Sequence, residues 1–359
     1  MHPLNRLGLF TSAITWLFND KDYKMPAVQK QFDTFHSNIK LEEDNEKIKL
    51  REKRETILSA LKDKLGDDTP SFVSFNQGSY SMHTGVAPLD GNYDIDVGLI
   101  FDCKRDKYPD PVTLKKIVLD AIDTHGRTVK IRRPCVTVQY MRNGAPEYHV
   151  DLAIYLKRDD GTLDLAKGKE NSGADQRVWE NSDPRKLTET ICNAFDDVND
   201  RAQFRRCIRY LKRWRDVHFS SGAPLSIALT VAAYKWFKPY KGTGGAYLDL
   251  LAMLEWIDAI LDQFISSWTD EGIYDCLKVE LPVTPYSDLM GCMTKAQMDT
   301  FKRKLESLRD ALRDAYDEDL PEDACKLLNK QFGDDFNVPE KSATAKAVAA
   351  PVISTGNSA

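Results

Sequence analysis

Several features that would assign a protein to a class are scarce or missing in this chain of 359 residues. Its seven cysteines are scattered and include no Cys-x-x-Cys pair, which argues against a zinc site and a disulfide framework and favours a reducing, cytoplasmic setting. No stretch has the apolar length of a membrane span, and the apolar segment 4–18 lacks a signal-peptide cleavage site. The formal net charge of -5 argues against a general nucleic-acid coat. A site for a polyanion must therefore depend on a local basic cluster.

The spacing of apolar residues divides the chain into four parts. Helical spacing dominates residues 27–65, alternation typical of strands recurs between residues 72 and 155, and helical spacing returns from residue 182 onward. The end of the chain is rich in Ala, Ser and Thr, which predicts disorder. We therefore expect an α+β protein with an N-terminal helical region over 1–66, a sheet domain over 67–181, a helical domain over 182–339 and a disordered tail over 340–359.

Two carboxylates stand near the start of the strand predicted over residues 93–101. Asp94 and Asp96 are two residues apart, so both point to the same face of a strand. Like charges on one face repel each other unless a divalent cation lies between them, and Mg²⁺ prefers such oxygen ligands. The preceding Gly78-Ser79 offers backbone N–H groups and a hydroxyl to a phosphate. The alternative is an acidic surface strand that follows a Gly-Ser turn.

A third carboxylate lies inside another predicted strand. Asp151 is the single acid in the apolar run 148–155, where a charge is costly unless it is paired or bound to a metal. On its own it reads equally well as a solvent-facing edge residue. With the pair of carboxylates upstream, the metal-binding interpretation is favoured.

A basic helix is predicted over residues 201–215, which hold seven basic residues and no acid. Arg209 and Lys212 follow its apolar stripe at helical spacing. A charge run is commonly a solvated face, but an unmixed run in an acidic protein favours a polyphosphate ligand. Ser226 is predicted in the first turn of a later helix, where a hydroxyl and free N–H groups suit a phosphate. It also reads as an ordinary N-terminal helix serine.

These motifs together resemble a known enzyme family. Gly78-Ser79, then Thr84, then Asp94-x-Asp96 resembles the signature of polymerase-β-like nucleotidyltransferases. The rest of the chain narrows the resemblance to the bacterial cGAS/DncV-like nucleotidyltransferases, nearest to the cyclic GMP-AMP synthases among them. The additional motifs are Trp179-x-x-Ser182-Asp183-Pro184, Arg206-x-x-Arg209-x-x-Lys212-x-Trp214-Arg215-Asp216 and Gly222-x-Pro224-x-Ser226-Ile227.

The resemblance implies a bilobed α+β fold, in which a mixed sheet carries the carboxylates and a C-terminal helical lobe closes the cleft. It implies that Asp94, Asp96 and Asp151 are the catalytic residues and bind two Mg²⁺ ions, which Mn²⁺ can replace. The nucleotide-binding residues that it implies are Gln77, Gly78, Ser79, Arg209, Lys212 and Ser226.

The resemblance also implies a function. Members of the family join nucleoside triphosphates and close the product into a cyclic oligonucleotide, a second messenger in antiphage (CBASS-type) defence. We therefore expect a Mg-dependent nucleotidyltransferase that uses ATP and GTP and makes a purine cyclic dinucleotide such as cyclic GMP-AMP. One alternative is a templateless polymerase that makes linear oligoadenylate or modifies RNA ends, against which the acidic net charge counts. A second is a catalytically silent nucleotide-binding module, although all three carboxylates are present.

The tail carries the last prediction from the sequence. Composition alone predicts a dispensable end, because residues 340–359 contain few large apolar side chains. The resemblance adds that some cyclases of this kind are joined through their C-terminus to other molecules by ubiquitin-like transfer proteins. Our hypothesis is that Ala359 is the reactive end.

Overall fold

The computed structural model describes residues 27–41, 46–124, 127–142, 144–269 and 272–340. The apolar segment 4–18 and all but the first residue of the predicted tail lie outside these ranges. No helix in the described ranges is long and apolar enough to cross a membrane.

Ten helices and nine strands make up the described part of the chain. The helices are α1 (Gln29–Ile39), α2 (Glu46–Lys64), α3 (Gly78–Ser81), α4 (Pro111–Ile122), α5 (Pro184–Cys192), α6 (Val198–His218), α7 (Ser226–Trp236), α8 (Asp249–Leu261), α9 (Lys295–Asp317) and α10 (Pro321–Phe332). The strands are β1 (Phe72–Asn76), β2 (Tyr93–Phe101), β3 (Arg127–Ile131), β4 (Val136–Arg142), β5 (Ala145–Lys157), β6 (Leu163–Lys167), β7 (Val178–Ser182), β8 (Ile265–Thr269) and β9 (Gly272–Cys276).

Seven of the strands form one mixed sheet, which confirms the predicted α+β fold class. The central order is β1-β2-β5-β4-β3, and β6 joins β5 to β7. Strands β2 and β5 run parallel, whereas the other neighbours in the sheet run antiparallel. The parallel pair places the starts of β2 and β5 at the same edge of the sheet. That edge carries the acidic residues that the sequence singled out.

One face of this sheet is covered by α2 and α4. Alternate residues of β2, such as Ile95 and Val97, are buried on this face against apolar side chains of the two helices, Leu61 and Val118 among them. Because strand side chains alternate, the residues between them point to the opposite face. The carboxylates of β2 therefore point away from the apolar core.

A second apolar core lies in the helical part of the chain. Helix α6 runs through it and buries Tyr210 and Trp214 completely. Helix α1 also belongs to this core, since Phe35 stacks on Tyr210 with ring centroids 5.1 Å apart. The predicted N-terminal helical region is thus divided, because α1 packs on α6 and α2 packs on the sheet.

Helix boundaries follow the capping residues closely. Asp183 accepts a hydrogen bond from the backbone N–H of Lys186, and Pro184 opens α5, as the sequence predicts. Two elements differ from the sequence-based expectations. The residues after β1 form the one-turn helix α3 rather than an open turn, and the strands β8 and β9 form a hairpin between α8 and α9 that the sequence did not reveal.

Candidate active site

The three predicted carboxylates lie on the two parallel strands at the centre of the sheet. Asp94 and Asp96 are on β2, and Asp151 on β5 is the register partner of Asp96. Parallel pairing thus brings together acids that are more than fifty residues apart in the sequence. The Asp151 carboxylate accepts a 2.6 Å hydrogen bond from the Thr137 hydroxyl on β4, which fixes its orientation. The structure therefore brings the three acids together on adjacent strands, with Asp94 and Asp96 lining the cleft and Asp151 beside Asp96.

Asp96 is the most strongly perturbed of the three. Its burial, followed by the negative charges of Asp94 and Asp151, raises its pKa to about 7. Its carboxylate lies directly against Gly78, where a Cβ atom would approach the Asp96 Oδ2 to 1.9 Å. Gly78 also has a φ of +68°, which side chains other than glycine rarely adopt. Only glycine fits at this position.

The segment that follows β1 forms the floor of the cleft. The Gln77 Oε1 accepts a hydrogen bond of 2.9 Å from the Tyr155 hydroxyl, and the backbone N–H of Gln77 donates to the Asp96 carbonyl over 3.1 Å. Ser79 is in the first turn of α3 and borders the cleft. This arrangement keeps the N–H groups at the start of α3 beside the carboxylates, where a phosphate would need them.

The helical part supplies the opposite wall. Lys212 of α6 is buried, and its Nζ donates to the Thr84 carbonyl over 3.2 Å and to the Thr84 hydroxyl over 3.1 Å. Burial, followed by the charges of Arg209 and Arg215, lowers the pKa of Lys212 to about 7. A negatively charged ligand beside this lysine would favour its protonated form.

Ser226 lies at the same wall, in the first turn of α7. Its hydroxyl accepts a 2.7 Å hydrogen bond from the Arg215 guanidinium. Arg215 also pairs with Asp216 at 2.6 Å, and all three side chains line the cleft. Sequence reasoning did not single out Arg215, although it follows Lys212 by one helical turn in the same basic run. The cleft between the two walls has a volume of about 1060 Å³.

Arg209 is the one predicted nucleotide-binding residue that the structure does not bring into this cleft. It is one turn before Lys212 on α6, but its side chain leaves the helix on the other side of the chain segment 83–85. Its guanidinium donates to the carbonyls of His83 and Gly85, the latter over 3.1 Å. The helical twist between the two positions separates two cations that the sequence groups together.

The residues of the cleft suit a divalent cation in their chemistry. Three carboxylates on adjacent strands supply hard oxygen ligands, and the negative charges of Asp94 and Asp151 add to burial in raising the pKa of Asp96. No group of three His, Cys, Asp or Glu side chains within the described ranges converges on a common point. The donor set and the excess charge thus fit the ion, while the side chains do not stand in coordination geometry.

Comparisons with known proteins agree with this architecture. Residues 70–155 match the model of the nucleotidyltransferase domain of the cyclic GMP-AMP synthase DncV-like family. Residues 201–344 match the model of the cyclic GMP-AMP synthase C-terminal domain. The chain is 30% identical over 155 residues to a cyclic GMP-AMP synthase of Escherichia albertii. That match spans 40% of this chain and 32% of the relative, about a third of the relative's length.

Solved structures share the fold. The Bradyrhizobium diazoefficiens CD-NTase CdnG in complex with GTP has a TM-score of 0.65 at 16% identity, over 88% of this chain and 98% of that one. The E. coli MS115-1 CdnC structure with ATP has a TM-score of 0.59 at 17% identity, over 86% and 98%. Vibrio cholerae DncV cyclic AMP-GMP synthase has a TM-score of 0.56 at 19% identity, over 80% and 76%.

The two family models cover the carboxylate-bearing strands and the helical wall of the cleft separately, and both point to the same family. Together they match more than half of the chain, which therefore belongs to the DncV-like nucleotidyltransferases.

Proposed function

We propose that this enzyme joins nucleoside triphosphates and closes the product into a cyclic oligonucleotide, with ATP and GTP as its preferred substrates. The observation that carries the proposal is the arrangement of the cleft. Asp94 and Asp96 of β2 line the cleft beside the start of α3, Asp151 of β5 is the strand neighbour of Asp96, and the buried Lys212 of α6 bounds the other side. The cleft has a volume of about 1060 Å³, near the upper limit for ligand pockets. A cleft of this size suits two nucleotides.

The residues of the cleft divide the work of nucleotidyl transfer between them. The backbone N–H groups at Gly78 and the Ser79 hydroxyl hold the triphosphate of the donor, and Lys212 balances the charge of its outer phosphates. Ser226, oriented by Arg215, adds a hydroxyl on the same side. These contacts fix the α-phosphorus of the donor near the carboxylates.

We assign Asp151 to the attacking hydroxyl. Held by its bond from Thr137, its carboxylate favours loss of the proton from a ribose 2′- or 3′-hydroxyl of the acceptor. The hydroxyl oxygen bonds to the α-phosphorus, and the bond to pyrophosphate breaks. Asp94, Asp96 and Asp151 would hold two Mg²⁺ ions, which supply charge stabilisation for the attacking and leaving oxygens. Ring closure repeats the reaction after the linear intermediate binds in the reverse orientation.

The choice of purines depends on the comparisons. The solved CdnG structure is a complex with GTP and the CdnC structure holds ATP. The matched relative of E. albertii is a cyclic GMP-AMP synthase. These are properties of those proteins, and for this chain they favour ATP and GTP as substrates and cyclic GMP-AMP as product.

The test is a synthesis reaction with labelled ATP, GTP, CTP and UTP in the presence of Mg²⁺, repeated with Mn²⁺. We expect a product that resists phosphatase and contains adenine and guanine, while digestion with a linkage-specific nuclease distinguishes 2′–5′ from 3′–5′ bonds. The Asp96→Asn variant is the matched control. A product that is entirely linear and phosphatase-sensitive would overturn the cyclase assignment and favour the linear polymerase. No product from any combination of nucleotides would favour the silent module.

The cellular role that we propose is production of a second messenger in antiphage defence, with conjugation at Ala359 by ubiquitin-like transfer proteins as a means of raising output. Ala359 lies outside the described residues, so this part depends on the family resemblance. Expression of the wild-type chain with its neighbouring genes is expected to protect bacteria from phage, and expression of Asp96→Asn is not. Equal protection by both would contradict the role of synthesis.

A further inference from the structure

A second cavity lies behind α3, on the other side of the segment 83–85 from the cleft. Its volume is about 460 Å³, and α1, α3 and the first half of α6 line it. Ser79 borders both this cavity and the cleft. We call it the rear cavity.

Four basic side chains face the rear cavity: Lys40, Arg205, Arg206 and Arg209. Among the residues that the structure describes, Asp33 is the one acid that lines the rear cavity. Asp33 is exposed, and its carboxylate accepts a hydrogen bond from the Gln29 side chain. The charge of the rear cavity is therefore strongly positive in a chain whose net charge is -5.

Arg206 is the one cation of the four that a carboxylate neutralises. Its guanidinium makes two hydrogen bonds, of 2.7 Å and 2.8 Å, to the buried carboxylate of Asp249. The side chains of Lys40 and Arg205 have neither a hydrogen bond nor an ion pair with any described residue. Both are partly buried, so neither is simply extended into bulk solvent.

Arg209 adds a buried charge that no acid balances. Its guanidinium donates to backbone carbonyls at His83 and Gly85 and lies 3.1 Å from the Nε2 of His36. Burial, followed by the charge of Arg209, lowers the pKa of His36 to about 4, so His36 is neutral at pH 7 and accepts that bond. Buried cations are normally paired with anions. At Arg209, the backbone carbonyls accept hydrogen bonds from the guanidinium, but no carboxylate of the described residues neutralises its positive charge.

We propose that the rear cavity binds a phosphorylated small molecule, with Lys40 and Arg205 as the direct phosphate contacts and Arg209 as the supporting charge. Guanidinium groups match phosphate oxygens in geometry. Lys40 and Arg205, whose side chains have no partner among the described residues, provide charge-assisted hydrogen bonds without first breaking contacts to those residues. A volume of about 460 Å³ is within the range of small-molecule pockets and exceeds what a lone phosphate fills. A diphosphate or a mononucleotide carries the same chemistry and fits this space.

This site is separate from the proposed catalytic cleft and does not depend on catalysis. The test therefore measures binding by isothermal titration calorimetry, in EDTA and at low salt, with inorganic pyrophosphate and AMP as the two probes. Saturable binding of either probe to the wild-type chain is expected. Pyrophosphate binding alone indicates a compact diphosphate ligand, and AMP binding indicates a nucleotide.

Variants assign the binding to one of the two sites. The double variant Lys40→Ala, Arg205→Ala is expected to weaken probe binding about tenfold or more, because it removes both direct contacts. The variant Lys40→Arg, Arg205→Lys keeps the charges and is expected to restore most of the affinity. The cleft variant Lys212→Ala is expected to keep binding at the rear cavity. A matched control, Lys116→Ala, Arg303→Ala, removes the same charge from exposed positions and is expected to bind like the wild type.

Three results would overturn the proposal. One is the absence of binding by both probes to the wild-type chain. The second is unchanged affinity in the Lys40→Ala, Arg205→Ala variant, and the third is equal weakening in the matched control. Melting curves of all variants check that each is folded, which is expected since the side chains of Lys40 and Arg205 have no partner in the described part of the chain. The result is independent of nucleotide synthesis, so a failure of the proposed function would leave it unaffected.

Discussion

Asp96 is held against the backbone of Gly78 in a site where two further carboxylates already concentrate negative charge. At the level of single residues, repulsion between these carboxylates lowers the stability of the folded protein, and a bound cation would relieve it. Lys212 is likewise a charged group in an unfavourable place. Its burial, followed by the charges of neighbouring arginines, lowers its pKa to about 7.

The substitution Asp96→Asn tests this balance. We expect nucleotide synthesis to fall at least about a hundredfold, because a proposed ligand of the metal ions is lost. The melting temperature without metal is expected to stay level or rise, since the change removes charge repulsion at a buried position. Synthesis rates and thermal melts measure the two effects, and Asp120→Asn on the exposed side of α4 is the control. Near-normal turnover of Asp96→Asn would refute the assignment of this carboxylate.

Lys115 is a buried residue whose ammonium group holds three backbone carbonyls together. Its Nζ donates to the carbonyls of Arg132, Arg133 and Gly168 at 2.9, 2.7 and 3.0 Å. Lys115→Met keeps most of the volume but removes a buried donor from three carbonyls, of which the Arg133 carbonyl still accepts from the backbone N–H of Gly168. We expect a loss of about 3 kcal/mol in the free energy of unfolding. The exposed neighbour variant Lys116→Met is expected to change it by less than about 0.5 kcal/mol. Denaturant unfolding of both variants makes the comparison.

His36 predicts a dependence of stability on pH. Its pKa is lowered to about 4 in the folded protein, mainly by burial and then by Arg209, whereas an unfolded histidine titrates near pH 6.5. Between these values the unfolded chain binds more protons, so the contribution of His36 to stability falls as the pH drops from 6.5 to 4. His36→Gln keeps an acceptor and cannot titrate. Relative to pH 7.5, the melting temperature of His36→Gln is expected to fall less than that of the wild type between pH 6.5 and 4. Identical pH profiles of the two proteins would contradict this role of His36.

At the scale of elements, α6 separates functions that its sequence presents as a single basic run. Lys212 faces the cleft, whereas Arg209 and Arg206 both border the rear cavity and only Arg206 is paired with a carboxylate of the described residues, that of Asp249. The change of direction along the helix from Arg209 to Lys212 is enough to reach a different cavity. The apolar stripe of the same helix, which includes Trp214, is buried as its periodicity predicts.

A buried network fixes α1, α6 and α8 relative to one another. The Asp249 carboxylate accepts hydrogen bonds from Arg206 at 2.7 and 2.8 Å, from Gln203 at 3.0 Å and from the Tyr210 hydroxyl at 2.9 Å. The backbone N–H of Asp249 donates to the Gln29 side chain on α1 over 2.8 Å. Asp249 therefore joins three helices, α6 through its carboxylate and α1 through its backbone N–H.

The substitution Asp249→Asn tests the network. We expect a loss of about 3 kcal/mol or more in the free energy of unfolding, because Arg206 would keep its charge in a buried site without its partner. Asp258→Asn on the same helix breaks an exposed pair with Arg313 and is expected to cost no more than about 1 kcal/mol. Urea unfolding distinguishes the two. Equal effects would show that burial does not set the strength of these ion pairs.

At the scale of the whole molecule, two apolar cores flank the cleft. One lies between the sheet and the helices α2 and α4, and the other surrounds α6. The proposed catalytic carboxylates come from the strands of the first and Lys212 from the second, so the proposed site exists only when both parts are folded.

Deletion of residues 341–359 tests the role of the tail. We expect the truncated enzyme to keep its rate of nucleotide synthesis and its melting temperature, since no catalytic motif lies in this segment. In cells that carry the transfer proteins, the same deletion is expected to lower phage protection, because the proposed conjugation at Ala359 is lost. Synthesis assays and plaque counts measure the two effects. If the truncated enzyme protects cells as well as the full chain does, the conjugation hypothesis is wrong.

Local patterns in the sequence determined the α+β class, the strand that carries Asp94 and Asp96, and the cap of α5 at Asp183. Each depends on a periodicity or on a neighbour within a few residues, and such local interactions can be predicted from the sequence alone. Asp151 stood out as the single acid of an apolar run and Lys212 as part of an unmixed basic run, and the family resemblance added their expected roles.

Only the tertiary structure decided which of these residues meet. The parallel register of β2 with β5 sets Asp151 opposite Asp96, and the path of segment 83–85 past α6 places Arg209 and Lys212 in different cavities. The division of the N-terminal helical region between two cores was likewise beyond the sequence. These outcomes depend on contacts between residues far apart in the chain, where strand pairing and helix packing, rather than local propensity, determine the direction in which a side chain points.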